Sequence, residues 1–242
     1  MRTIWSLFYG VLYVLYTVPF MKRYQKLDRD NYTRAEYNQL VHRVPKQFAR
    51  KFFKQSGSTM VVCGEENIPE APYLIVGNHQ ANYDIFAYLG YFKEPFGFIS
   101  KVEVSKIPIV KPWMEVMDCL FLDRKNRRES VKTFKKGIEL LKDGHPLVIY
   151  PEGTRSMGSN MLPFKSGSLA LAKKAKVPVL PVMVDGTYKI MEENQNRIKK
   201  ATVYMTICEP ISVEDVEQMK LEKLAEETQS RIQKALDQVK ER

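Results

Sequence analysis

The chain is poor in the residues that build metal centres and disulfide scaffolds. Its 242 residues include three cysteines and three histidines. Cys63, Cys119 and Cys208 stand far apart among apolar neighbours, with no Cys-x-x-Cys. That spacing excludes a zinc ribbon or finger, and three cysteines cannot all pair within one chain. They read as reduced, buried thiols of a reducing compartment. His42, His79 and His145 are too few and too dispersed for a histidine metal site; neither metal nor cofactor is expected. Also missing are the Gly-x-Ser-x-Gly elbow, the Walker lysine loop, Gly-x-Gly-x-x-Gly and His-Glu-x-x-His. A serine hydrolase, a P-loop nucleotidase and a zincin are thereby disfavoured. No internal repeat or low-complexity linker divides the chain.

Acidic residues are in deficit. Asp plus Glu number 28 against 38 Lys plus Arg, a net charge of +10. Such a surplus points to an anionic partner: nucleic acid, an anionic membrane surface or a phosphorylated substrate. With 44% hydrophobic and 27% charged residues, collagen-like and disordered states are excluded. The length suits one domain with a full core and a short appendage.

Ile4–Phe20 runs seventeen residues without a charge. As a helix it would measure about 25 Å, slightly short of a hydrocarbon core of about 30 Å. Only Arg2 precedes it as a basic residue and no small-x-small cleavage site follows, which argues against a signal peptide. Lys22, Arg23, Lys26 and Arg29 follow instead, placing the carboxyl side of the run in the cytoplasm by the positive-inside rule. Six aromatic residues within the run suit the headgroup level. A buried core helix is the alternative. Residues 22–54 hold ten Lys/Arg against three Asp/Glu. There Leu40, Val41, Val44, Phe48 and Phe52 recur at helical spacing among basic residues, a basic amphipathic helix suited to an anionic bilayer. A charged face of a helix packed on the protein body fits the same pattern. Nucleic acid is disfavoured, because binding a duplex does not call for the uncharged run.

Beyond Met60, short apolar runs alternate with helical patterns. Strands are expected at Tyr73–Gly77, Phe96–Ser100, Cys119–Leu122, Leu147–Tyr150, Val179–Val184 and Thr202–Ile207. Helices are expected from Asn126 to Gly144, from Lys165 to Lys176 and from Ser212 to about Val239. This alternation predicts an α/β fold with a mixed, mainly parallel sheet flanked by helices. The expected division is an N-terminal helical membrane-binding arm, residues 1–58, and an α/β domain, residues 59–242.

Two clusters at strand ends could carry chemistry. Asn78-His79-Gln80-Ala81-Asn82-Tyr83-Asp84 follows the first strand, and the carboxyl end of a strand is where open α/β sheets place their sites. Five residues apart, His79 and Asp84 would splay by about 140° on a regular helix. They meet only if His79 lies in the turn before a helix and Asp84 in its first turn, a start that Asn82 or Asn78 could cap. Asp84 would then accept from Nδ1 of His79 and leave Nε2 as a base. A structural histidine near a strand end fits equally. Tyr150-Pro151-Glu152-Gly153-Thr154-Arg155 ends another strand, where an arginine could grip a phosphate through two charge-assisted bonds. An ordinary turn with a surface ion pair is the alternative. Phe121-Leu122-Asp123-Arg124 ends a third strand, Pro178 and Pro181 bracket a fourth, and Lys101 and Lys165 are further phosphate candidates.

In this order, Asn-His-x4-Asp, Phe-x-Asp-Arg, Pro-Glu-Gly-Thr-Arg and Val-Pro-Val-Leu-Pro-Val resemble the glycerolipid acyltransferase family, over about Tyr73 to Val184. The likeness is greatest to the enzymes that acylate 1-acyl-sn-glycerol 3-phosphate. The departures are Tyr150 where Phe is frequent, and Ala81-Asn82-Tyr83 in place of a small-aromatic-aromatic stretch; neither is expected to touch the acid, base or arginine positions. The resemblance implies transfer from an acyl thioester, on acyl carrier protein or coenzyme A, to the 2-hydroxyl of lysophosphatidic acid, giving phosphatidic acid. It implies His79 as base and Asp84 as its orienter. Glu152, Gly153, Thr154 and Arg155 would hold the glycerol-phosphate end, with Lys101, Arg124 and Lys165 adding positive charge. Backbone N–H groups near Gly153 would form the oxyanion site. Anionic membrane lipids would be partners, and the site would sit at the cell membrane on its cytoplasmic face. Acyltransferases using glycerol 3-phosphate or another lysophospholipid would share these residues, and a non-catalytic basic membrane-binding module is the remote alternative.

Overall fold

The computed structural model describes residues 2–241. Short apolar runs become strands because they are sandwiched. β1 (Thr59–Cys63), β2 (Leu74–Gly77), β3 (Gly97–Lys101), β4 (Leu120–Leu122), β5 (Leu147–Ile149), β6 (Val179–Asp185) and β7 (Thr202–Ile207) form one sheet. Their order is β1-β7-β6-β2-β5-β3-β4. Every pairing is parallel except β6 with β7. The central strands β2, β5 and β6 are buried along their whole length, which explains continuous apolar runs in place of alternation. The sheet is thus mixed and mainly parallel, with helices on both faces.

Three boundaries differ from the sequence reading. β1 was not anticipated; it is an edge strand whose neighbour β7 lies some 140 residues further on, and its half-exposed Thr-Met-Val-Val-Cys carries a weak apolar signal. The stretch Lys165–Lys176 is a 3₁₀ turn at Ser166–Leu169 followed by the short α6 (Ala170–Ala175). The final helix is two, α7 (Val213–Gln218) and α8 (Leu221–Lys240), because Met219 and Lys220 turn extended between them. Pro178 precedes β6 as expected, but Pro181 lies inside it, opposite Val76. Having no N–H to donate, Pro181 contributes its carbonyl, which accepts from the Cys208 amide at 2.9 Å.

The two faces carry different helices. On one, α3 (Tyr83–Tyr91) and the arm helix α2 (Arg34–Gln55) share a core with Ile75, Val148 and Val182. On the other, α5 (Arg127–Lys142), α6, α7 and α8 pack over Leu74, Val76, Leu147 and Ile149. Local signals set the helix starts. Thr33 and Glu36 form a reciprocal capping box on α2, and Asn126 caps α5.

α1 (Arg2–Gln25) runs antiparallel to α2, with Tyr13 against Phe48 and Phe52 so close to Gly10 that a Cβ there would lie 2.7 Å from its ring. The apolar face of α2 does not lie on a bilayer as its pattern suggested. Val41, Phe52 and Phe53 are buried against α1, α3 and the sheet. Nζ of Lys46 donates to the carbonyls of Phe92 and Lys93, and Nε of Arg50 to that of Gly90, satisfying the end of α3. Arg29 and Arg34 both pair with Asp118, just before β4. Most of the exposed large apolar side chains belong to α1, where Trp5, Phe8, Val11, Leu15 and Tyr16 are each more than half exposed.

Candidate active site

The turn after β2 is held from below before it presents any side chain. Asn78 is buried, accepts from the Val184 amide and donates to the Val184 carbonyl, both at 2.8 Å. Gln80 donates to Asp185 and accepts from the Gly186 amide. These bonds dock the turn onto the end of β6. At Gly77, the hydroxyl of Tyr88 lies 2.1 Å from where a Cβ would stand, so only glycine fits at the end of β2.

His79 occupies this turn and Asp84 the first turn of α3, the arrangement that their spacing required. His79 Nδ1 and Asp84 Oδ2 are 2.7 Å apart. Neither Asn82 nor Asn78 caps the helix through its side chain. The Asp84 carboxylate instead pins the turn before the helix: Oδ2 also accepts from the amides of Gln80 at 2.7 Å and Ala81 at 3.0 Å. Its other oxygen, Oδ1, accepts from the Thr187 hydroxyl. Asp84 is fully buried and accepts from every partner, so the proton of the pair resides on Nδ1 and the free lone pair on Nε2. The His79 side chain keeps 18% exposure, enough to meet a ligand.

Tyr150 stacks on the imidazole, ring centroids 4.3 Å apart and planes 12° from parallel. The substitution of Tyr for Phe therefore touches the base position, contrary to expectation. The Tyr150 hydroxyl is buried without a hydrogen-bond partner among the described residues, and burial pushes its ionisation well above the usual phenol range.

Glu152 does not face outward as a ligand group. Oε1 accepts from the His79 amide at 2.6 Å and Oε2 from the Leu162 amide at 2.8 Å. Burial raises its pKa, and the two amide donors oppose the rise. Its structural action is to tie the 150–162 loop to the turn bearing the histidine. Two further bonds join the same strands of chain, Ser156 N to the His79 carbonyl at 2.8 Å and Met157 N to that of Gln80 at 3.0 Å.

The expected cations separate into groups. Nη1 of Arg124 donates to the Gly153 carbonyl. A Cβ on Gly153 would lie 2.8 Å from that nitrogen and 3.1 Å from Nζ of Lys165, so two charges converge on this glycine, which also has φ +75°. Its own amide donates to the Tyr150 carbonyl at 3.1 Å and cannot serve an oxyanion as expected. Nη1 of Arg155 pairs with Glu192 at 3.0 Å, leaving the side chain about a third exposed. Glu192 also accepts from the Asn82 amide, which links Arg155 to the histidine turn. Thr154 is exposed. Lys101 ends β3 in register with Leu122 and makes no side-chain hydrogen bond or ion pair among the described residues.

Sequence reasoning missed Thr187, Gln80 and Glu192. The partners in these bonds are some 100 residues apart in sequence, and no local spacing signals them.

Comparisons with known proteins bear on the family and the fold. The family model described as Acyltransferase matches residues 59–185. A 1-acyl-sn-glycerol-3-phosphate acyltransferase of Saccharomyces cerevisiae is 32% identical over 76% of this chain and 61% of its own length. The chain thus spans about three fifths of that relative. A 1-acyl-sn-glycerol-3-phosphate acyltransferase of Borreliella burgdorferi is 30% identical over 76% of this chain and 74% of its own. The crystal structure of the 1-acyl-sn-glycerophosphate (LPA) acyltransferase, PlsC, from Thermotoga maritima superposes with a TM-score of 0.80 at 30% identity, covering 100% of this chain and 99% of that one. Its fold and its sequence from β1 to the end of β6 make this chain a member of the acyltransferase family.

Proposed function

We propose that this chain transfers an acyl group from an acyl thioester to the 2-hydroxyl of 1-acyl-sn-glycerol 3-phosphate, forming phosphatidic acid. The observation that carries the reading is the His79–Asp84 pair, whose turn is tied through Tyr150 and Glu152 to the segment that carries the cationic turn at Gly153. His79 Nε2 takes the hydroxyl proton as the acceptor oxygen attacks the thioester carbonyl. Asp84 holds the ring and stabilises the imidazolium that forms. Collapse of the tetrahedral intermediate breaks the carbon–sulfur bond, and the imidazolium returns the proton to the leaving thiolate. No acyl-enzyme forms, in keeping with the missing nucleophile motif.

Arg124, Lys165 and Arg155 supply positive charge for the acceptor phosphate, with Thr154 at the rim and Lys101 further along the sheet end. Gly153 allows the close approach. Glu152 serves as a positioning residue, through the amide of His79. Residues 1–58 form the membrane-binding arm and 59–242 the acyltransferase domain. α1 lies in the cell membrane by its exposed apolar face, with the site on the cytoplasmic side, where Lys22 and Arg23 meet anionic headgroups. The test is an assay with the full chain on vesicles containing lysophosphatidic acid and an acyl thioester. Phosphatidic acid should form with the newly transferred acyl group at the 2-position. Absence of product with both acyl carrier protein and coenzyme A as donor carriers would overturn the reading.

A further inference from the structure

The positive charge of the chain lies in two places on opposite faces of the sheet. Residues 22–54 carry a net +7 and residues 124–142 a net +6, so everything else together is slightly acidic. The first segment includes α2, on the α3 face with α1. The second is α5 with its lead-in from β4, on the other face. Along α5, Arg128, Lys132, Lys135 and Lys136 are exposed on the side opposite the buried Gly137, Leu140 and Leu141, and Val131 stands among them 62% exposed. Among the described residues, Lys132 alone of these has an acidic partner, Glu129 at 2.7 Å. From Arg128 to Lys135 the stripe covers about 10 Å of helix axis, more than one phosphate can engage. Its amino-terminal end reaches the site, because Arg124, three residues before α5, donates to the Gly153 carbonyl.

We propose that the outer face of α5 is the docking surface for an acidic protein that delivers the acyl thioester, an acyl carrier protein. The inference rests on the acyl-transfer reading above and names the donor carrier for that site. The charge suits an acidic helix, and the exposed valine amid the cations provides an apolar contact that a headgroup layer does not need. A bilayer is the less favoured occupant, since the lipid-facing side chains of α1 lie with the opposite face of the sheet. A carrier seated on α5 would leave α1 in the membrane and hold its thioester at the rim formed by Arg124 and Gly153.

The experiment uses the full chain with Arg128→Glu, Lys132→Glu and Lys135→Glu combined, and a milder triple change to Gln. All three positions are exposed, and thermal unfolding should match the parent. On vesicles, the Glu variant should raise KM for acyl carrier protein thioester by about tenfold or more, with smaller salt dependence, and the Gln variant by less. KM for lysophosphatidic acid and for acyl-coenzyme A should change less than about twofold. Titration with carrier protein bearing no acyl group should show binding to the parent and none to the Glu variant. That readout needs no turnover, so it separates failure of docking from failure of the acyl-transfer reading. Unchanged carrier KM and binding would overturn the proposal. So would an equal rise for acyl-coenzyme A, which would make the stripe a general anion site, or loss of vesicle binding, which would make it a membrane contact.

Discussion

The turn bearing His79 and the helix α1 lie in the same molecule under opposite physical regimes. In the turn, Asp84 is fully buried and both its oxygens are occupied. Position there is set by many short polar bonds, each costly to leave unmade. Along α1, large apolar side chains project outward and the packing runs along one stripe, mainly against α2 and Trp113, with Thr3 accepting from the Ile198 amide. Position there is loosely set, and what counts is area: each exposed apolar side chain gains about 1.5–3 kcal/mol on leaving water. A site that moves protons needs fixed atoms, whereas a surface that enters lipid needs only composition and extent.

The contrast predicts a hierarchy of effects. The largest should follow His79→Ala, which removes the proposed base and should lower turnover by about 10²–10⁴-fold while unfolding temperature and vesicle binding stay at parental values. Retained turnover would remove His79 from the chemistry. Next, Val11→Ser, Leu12→Ser and Leu15→Ser together should release the protein from vesicles with little change in its thermal unfolding, because these side chains contact solvent rather than core. Truncation through residue 54 would not be equivalent, since Phe53 is fully buried in the main core.

A smaller effect concerns acid stability. His42 and His145 are buried, with burial lowering their pKa values to about 3 and about 4. Lys46 opposes protonation of His42; Arg29 and Arg34 oppose that of His145, and Asp118 favours it. Both folded-state values lie below the unfolded value near 6.5, so the unfolded chain binds more protons as pH falls. Stability should therefore be flat in these groups above about pH 6.5 and decline from there, through both histidines down to about pH 4 and through His42 alone down to about pH 3. His145→Gln should flatten the decline in denaturant titrations; an unchanged slope would contradict it. The smallest effect should be that of Tyr150→Phe. The hydroxyl has no hydrogen-bond partner among the described residues and the ring does the stacking, so turnover should stay within about twofold, while Tyr150→Leu should lower it further by freeing the imidazole.

Much of the sheet was legible because its strands are short apolar runs, fully buried in the central β2, β5 and β6. β7 matches its apolar run Thr202–Ile207 without displacement. β1 escaped because an edge strand needs burial on one side only. α2 was legible as a basic amphipathic helix, but its pattern could not say what its apolar stripe would touch. A bilayer and the back of α3 demand the same spacing, and only the packed structure distinguishes them. At the site, the His79–Asp84 pair was legible because both members lie within one turn and one helix start. The partners of the pair were not. Thr187, Glu192 and Tyr150 arrive from the ends of other strands, and the outward role expected of Glu152 gave way to two backbone amides.

The sequence by itself therefore determined the fold class, the meeting of His79 with Asp84 and the apolar, uncharged character of most of α1, since each depends on neighbours within a few residues of one another. The tertiary structure alone decided which cations converge on Gly153, which stay apart, and that the two basic segments lie on opposite faces of the sheet. Those facts depend on crossover connections that carry α3 and α5 to different faces, and chain crossings of that length leave no mark in local spacing.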